Sequence, residues 1–266
     1  MCGTVNDVAT SGALPQYLSC GFILEEGFPV ESLTKICRSI AEAAQEAQVK
    51  IVTGDTKVVP KGNGDGIFIN TSGVGYIPAG VDLSGAYAKP GDKILVSGTL
   101  GDHGITIMSC RESLSFEADI QTDAAPLNHL MQEVLNAAPQ TRCFRDPTRG
   151  GLASTLNELS DQSQVDITVN ETDIPVKPAV LGACEMLGYD VYQVANEGKI
   201  IAIVPSEEAE AALAAMKKNK YGQESAIIGE VSELPEARAP RVALRTSFGS
   251  TRILDMLVGE QLPRIC

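Results

Sequence analysis

Residues 31 to 48 place Leu33, Ile36, Cys37, Ile40, Ala43, Ala44 and Ala47 at the spacing of one helical face, while Glu42, Gln45, Glu46 and Gln48 take the other. This pattern predicts an amphipathic helix lying on an apolar surface. The β-branched run Val49 to Thr53 predicts a strand ending at Gly54, and a second strand follows from Gly66 to Ile77, giving a helix on a sheet. Lys89-Pro90-Gly91-Asp92 is turn chemistry ahead of the strand Lys93 to Val96, and a domain boundary is placed there. Beyond it the pattern predicts helices over about 102–112, 124–137, 150–162, 178–187 and 206–217. Strands are predicted near 165–169, 199–204, 225–231 and 240–246, with a short one at 252–254. Such a mixture implies α+β layers rather than regular βαβ repetition. From Asp255 to Cys266 neither period continues, and a frayed chain end is the simplest reading of that stretch.

A chain of 266 residues can form two ordinary domains, and 44% apolar with 21% charged residues fits globular packing. The net charge of −13 would repel nucleic-acid phosphates, so nucleic acid is not expected as a partner. Apolar runs such as Ile94 to Val96 and Ile200 to Val204 are far too short to span a bilayer, and the first residues lack a signal-peptide pattern. A soluble, cytoplasmic protein is expected. The seven cysteines contain no Cys-x-x-Cys pair and only His103 and His129 could supply imidazole, which argues against structural zinc. Most of the cysteines read as small core residues; Cys266 differs because it ends the chain.

Three segments could carry chemistry. Thr53-Gly54-Asp55-Thr56-Lys57 combines an acid, a hydroxyl and an amine where a glycine permits a sharp turn, which suits Mg²⁺ and phosphate; an Asx turn with an exposed lysine is the plain alternative. Asp146-Pro147-Thr148-Arg149-Gly150-Gly151 precedes an apolar helix, so backbone N–H groups could meet an anion there. Helix capping by Asp146 or Thr148 explains the same residues. Asn196-Glu197-Gly198-Lys199 puts a carboxylate at a strand entry, and Gly101-Asp102-His103-Gly104 reads as a turn whose histidine is structural.

Together with Gly3-Thr4-Val5-Asn6-Asp7-Val8-Ala9 and the terminal Pro263-Arg264-Ile265-Cys266, these segments closely resemble the HypE family of hydrogenase maturation proteins, in the aminoimidazole ribonucleotide synthetase superfamily. The resemblance runs from residue 2 to residue 266, and the Pro-Arg-Ile-Cys ending separates that family from its relatives. The family carries several dozen residues before Cys-Gly-Thr, so the chain reads as lacking that segment. The expected fold is α+β and two-domain, with residues 1–88 an incomplete N-terminal domain for ATP binding and dimerisation. Residues 89–254 would form the C-terminal domain, and 255–266 a mobile tail bearing the acceptor cysteine.

The resemblance implies ATP and Mg²⁺ as cofactors and a homodimer paired through its N-terminal domains. By motif, Asp7 and Asp55 would hold Mg²⁺ and phosphates, with Asn6, Thr56, Asp146, Thr148 and Gly150 around the nucleotide. Lys57 and Glu197 would face the modified sulfur of Cys266. A HypF-type carbamoyltransferase would load a carbamoyl group on that thiol, dehydration would yield a thiocyanate, and a HypC–HypD complex would take the cyano group for NiFe hydrogenase assembly. Glu197 is then the general base and Lys57 the charge stabiliser. Two other readings stay open: a small-molecule ATP-dependent synthetase of the same superfamily, which needs no terminal cysteine, and a non-catalytic fragment that binds maturation partners.

Overall fold

A computed structural model describes residues 1–111, 121–235 and 238–256. The N-terminal part of the chain builds helix α1 (Cys2–Thr10), strand β1 (Leu14–Glu25), helix α2 (Val30–Ala47) and strands β2 (Lys50–Val59) and β3 (Ile67–Tyr76). The strands form a three-stranded sheet ordered β2-β1-β3, with β2 parallel and β3 antiparallel to β1. Both helices pack on one face of it, where Val5, Leu18, Ala44, Ala47 and Val49 form a small core.

The sequence pattern anticipates α2 and β3 to within about a residue, but not α1 or β1. Strand β1 is apolar on both faces: Leu18 and Cys20 point inward, whereas Tyr17 and Ile23 are exposed on the opposite side, so the period of two is lost. In α1 the buried positions are Val5, Asn6 and Ala9, and a polar residue breaks the apolar stripe. Strand β2 does not end at Gly54 but runs straight through to Val59. Gly54 is required for another reason: a Cβ there would overlap the Cys20 carbonyl, next to the register shift between Leu18 and Ser19.

The remaining elements are strand β4 (Lys93–Val96), helices α3 (Asp102–Arg111) and α4 (Asn128–Ala137), strand β5 (Cys143–Arg145) and helix α5 (Gly151–Ser163). Strand β6 (Asp166–Asn170), helix α6 (Pro178–Leu187), strand β7 (Ile201–Val204), helix α7 (Ala209–Lys218) and strands β8 (Ala226–Ser232), β9 (Val242–Arg245) and β10 (Thr251–Ile253) complete it. Seven strands form one sheet, ordered β10-β9-β6-β8-β4-β7-β5. Its central strands are buried on both sides, and their alternate residues divide between two cores. Ile94, Val96, Ile201 and Ile203 join α5 and α6 through Leu152, Leu156 and Val180. Leu95, Ala202 and Val204 join α4 and α7 through Leu130, Met131, Val134, Ala212 and Met216. Ala9 of α1 belongs to the second core, which ties the N-terminal part of the chain to the seven-stranded sheet.

Helix α4 begins at Asn128 rather than 124, because Leu127 gives its N–H to the Asn6 side chain and Pro126 stands just ahead. Strand β7 begins at Ile201 rather than 199; the N–H of Ile200 is taken by Ser97 Oγ, and residues 196–199 are left as a loop. The three-residue β5 is too short to show a period. No helix among the described residues is long and apolar enough to cross a membrane.

Candidate functional site

The N-terminus of α1, the turn between β5 and α5 and the loop before β7 converge on one polar cleft of about 530 Å³. Gly3, Asp7, Arg145, Asp146, Thr148, Arg149, Thr155, Glu158 and Glu197 line it. The fold thus brings together Asp7, Asp146, Thr148 and Glu197, which stand up to 190 residues apart in the sequence. Two buried asparagines lock the walls. Asn6 Nδ2 donates to the carbonyls of Ala125 (3.0 Å) and Glu197 (3.4 Å), and its Oδ1 accepts from Leu127 N–H (2.7 Å). Asn196 Oδ1 accepts from Gly101 N–H (2.7 Å), while Nδ2 donates to the carbonyls of Pro147 (3.1 Å) and Val194 (2.9 Å). Asn6 therefore holds the cleft from beneath, with both ends of its amide used.

Gly150 is the N-cap of α5, in a left-handed conformation and with no side-chain cap. Capping by Asp146 or Thr148, the alternative reading of this segment, is not made. Gly151 is also left-handed (φ +59), and a Cβ on it would stand 2.6 Å from the Val194 carbonyl oxygen and 2.7 Å from that of Tyr192. Gly150 itself does not line the cleft, but Thr148 and Arg149 just before it and Thr155 in the second turn of α5 do, together with Arg145, a setting that favours anions. Arg145 is paired with Glu158 at 2.6 Å.

Two carboxyls of the cleft are shifted upward. Burial and the neighbouring Asp146 lift the Asp7 carboxyl above its usual range. Burial, followed by Asp123, Asp146 and Asp7, pushes Glu197 up to about 7. Glu197 Oε1 is buried without a hydrogen-bond partner, so this acid holds its proton unsupported and can give or take it near neutrality. Among the described residues no group of three or more His, Cys, Asp and Glu could hold a metal alone. Asp7 and Asp146, which line the cleft near enough for the charge of one to act on the other, fit Mg²⁺, which binds through one or two carboxylates while keeping water and phosphate oxygens.

Asp55, Thr56 and Lys57 are not on this cleft. They lie exposed in mid-β2, where Asp55 pairs with Gly21 and Lys57 with Ile23. By the alternation of β1, Asp55 and Lys57 share the outer face of the sheet, away from α1. Cys266 lies outside the described residues. Of the other cysteines, Cys20, Cys143 and Cys184 are buried as expected, but Cys37 and Cys110 are exposed and Cys2 is intermediate. Cys37 is open because the sheet covers α2 only near Ala44 and Ala47.

The sequence alone gave no hint of Asp123. It lies in the irregular stretch before α4, yet its Oδ1 accepts the Glu197 N–H (3.1 Å) and its Oδ2 the Lys199 ammonium (3.0 Å). Nothing local marks it; only the fold brings it 74 residues along the chain to Glu197.

A two-sheet α+β chain with these acidic turns around a shared cleft defines a class. The AIR synthase related protein family matches it twice, the N-terminal domain over residues 1–77 and the C-terminal domain over residues 89–239. Within that class, the chain is 57% identical over 264 residues to the carbamoyl dehydratase HypE of Azotobacter vinelandii, covering 99% of this chain and 76% of that one. A crystal structure of hydrogenase maturation protein HypE in complex with ATP superposes with a TM-score of 0.95 at 50% identity, covering 100% of this chain and 80% of that one. A HypE–HypF complex gives 0.92 at 50% identity, over 96% of this chain and 82% of that one. The chain belongs to the HypE family.

Proposed function

We propose that the chain catalyses the ATP-dependent dehydration of an S-carbamoyl group on its own Cys266 to a thiocyanate, for NiFe hydrogenase assembly. The observation that carries this reading is Glu197, a carboxyl titrating near 7 with a bare Oε1, on the wall of a cleft that also suits phosphate and Mg²⁺. The relatives named as carbamoyl dehydratases, one of them solved with ATP and one with HypF, support it.

The carbamoyl group is S–C(=O)–NH₂, whose oxygen cannot leave as hydroxide at neutral pH. ATP, as co-substrate, supplies a phosphoryl group to that oxygen, leaving ADP. The carbon–oxygen bond then breaks with release of phosphate, and nitrogen gives up its protons as the C≡N bond forms. Of the two protons lost, Glu197 accepts one and the other leaves with the departing phosphate; a pKa near 7 suits Glu197 both to take its proton and to return it to water. Asp7 and Asp146 would hold Mg²⁺, which would offset charge on the phosphates; Arg145, Arg149, Thr148 and the Gly150 end of α5 would orient them. A tail anchored after Leu254, whose carbonyl accepts from Asn157 Nδ2 at 2.7 Å, presents Cys266 to a HypF-type carbamoyltransferase and then to the cleft. A HypC–HypD complex takes the product. Burial pushes the Cys143 and Cys184 thiols up to about 12 and about 11, which leaves them protonated and poor acceptors.

The outer face of the three-stranded sheet exposes Tyr17, Ile23, Phe68, Val74 and Tyr76. An apolar face of this kind fits a second copy, and residues 1–88 are read as the pairing and ATP-binding domain, 89–254 as the C-terminal domain. Within one copy Asp55 and Lys57 lie on the outer face of the sheet, and Thr56, paired with Phe22 on the opposite face, is exposed and not on the cleft. In this reading a dimer brings them to the cleft of the partner, where Asp55 and Thr56 add to the Mg²⁺–ATP site and Lys57 faces the modified sulfur.

Incubation with a HypF-type carbamoyltransferase, carbamoyl phosphate and ATP, followed by mass mapping, tests the assignment. Trypsin should release an Ile265-Cys266 peptide bearing the modification, and Cys266→Ala should carry none. Undiminished labelling of that variant would remove the basis of the reading.

A further inference from the structure

We propose that Asp123 is a positioning residue: it fixes the Glu197-Gly198-Lys199 turn from behind and so sets where the Glu197 carboxylate stands and how it is charged. This rests on the reading of Glu197 as the base. Asp123 is not on the wall of the cleft, and its side chain is only 3% exposed. It meets the turn three times, through the Glu197 N–H at 3.1 Å, the Lys199 Nζ at 3.0 Å, and its own carbonyl, which packs so closely on Gly198 that a Cβ there would overlap it. Asn6 holds the Glu197 carbonyl from the other side. The backbone of Glu197 is thus clamped at both polar groups while its carboxyl end is left with a bare Oε1.

A buried aspartate paired to a buried lysine can be no more than a stabilising ion pair, so the discriminating property is charge at Glu197. The groups facing Glu197 are Asp7, Cys2 and the Met1 amino group on the α1 side, Asp146, Arg145 and Arg149 from the β5–α5 turn, and Asp123 with Lys199 behind it. His103 Nδ1 faces Asp123 at 3.9 Å. After burial, Asp123 is the largest influence holding Glu197 near 7.

The experiment uses the full-length chain labelled with ¹³C at Glu carboxyls, the Glu197 signal being identified by its loss in Glu197→Gln. Asp123→Asn should lower the Glu197 midpoint by about one pH unit, and the acid limb of the thiocyanate-formation profile should move down with it. Mg²⁺–ATP affinity should stay within about twofold, since Asp123 does not touch the cleft. Because Asp123→Asn strands a buried Lys199 and could unfold, the paired Asp123→Asn/Lys199→Met variant is measured too; its midpoint should fall between the single variant and the parent. A Glu197 midpoint unchanged in both variants, or activity lost with no movement of the pH profile, would overturn the proposal. Thiocyanate formation retained by Glu197→Gln would overturn the base assignment instead, while the carboxyl midpoints still decide the role of Asp123.

Discussion

Glu197, the base in the proposed reaction, also carries a measurable stability signature. Its carboxyl titrates near 7 in the folded chain against an ordinary 4.5, so the folded state holds a proton that the unfolded chain has already released. Stability from this residue is therefore present below 4.5 and is lost as pH rises through 7. Glutamine keeps the shape without the charge, so Glu197→Gln should raise stability by about 1–2 kcal/mol at pH 8 and change it little at pH 4, after allowance for partial solvent screening. Urea melts at the two pH values check this, and equal effects at both would contradict the burial of the charge. The same substitution should permit carbamoylation of Cys266 and stop at that stage. At Asp7 the raised carboxyl reflects burial and then Asp146, so Asp7→Asn should weaken Mg²⁺–ATP binding at least about tenfold without lowering stability; nucleotide titration reads it.

Among the elements, the start of α5 does most to shape the cleft. Two successive left-handed glycines, Gly150 and Gly151, turn the chain without a side-chain cap and press it against the carbonyls of Tyr192 and Val194. Gly151→Ala combines an unfavourable φ with contacts too close for a methyl group, and should cost about 2–3 kcal/mol. Because the helix end must move, Mg²⁺–ATP affinity should fall as well. Thermal melts with and without Mg²⁺–ATP separate the two effects, and a variant with parental stability would show that the turn relaxes freely. Strand β2 teaches a related point: its glycine serves close strand approach rather than a turn, and its acid, hydroxyl and amine face solvent in mid-strand.

At the scale of the whole molecule, the proposed pairing through the outer sheet face is what would bring Asp55 and Lys57 to the cleft of Asp7 and Glu197. Ile23→Glu places a charge at an exposed apolar position between Phe68 and Lys57, so it should leave the fold intact and give a monomer by sedimentation. Lys57→Ala and Glu197→Gln should each inactivate the chain, and mixed dimers of the two should recover roughly a quarter of parental activity, one intact site of two in half of the dimers. No recovery from verified mixed dimers would place both residues in one copy's site.

The chain's own order determined much of this protein. Helical and strand periods located α2, β3, β4 and most of the later helices, because each buries one defined face. Turn and glycine chemistry marked the segments around Asp146 and Glu197, while Asp7 came only with the family resemblance carried by Gly3 to Ala9 and the terminal Pro263-Arg264-Ile265-Cys266. Tertiary structure decided what no local pattern could carry. It made β1 a strand despite apolar residues on both faces, and put a polar Asn6 in a helix core by satisfying every end of its amide. It also set Asp55 and Lys57 apart from the cleft and brought Asp123 beneath Glu197. Periodicity reports which face of one element is buried; which distant residues then share a cleft, and so shift one another's charge, is fixed only when the sheets and helices pack.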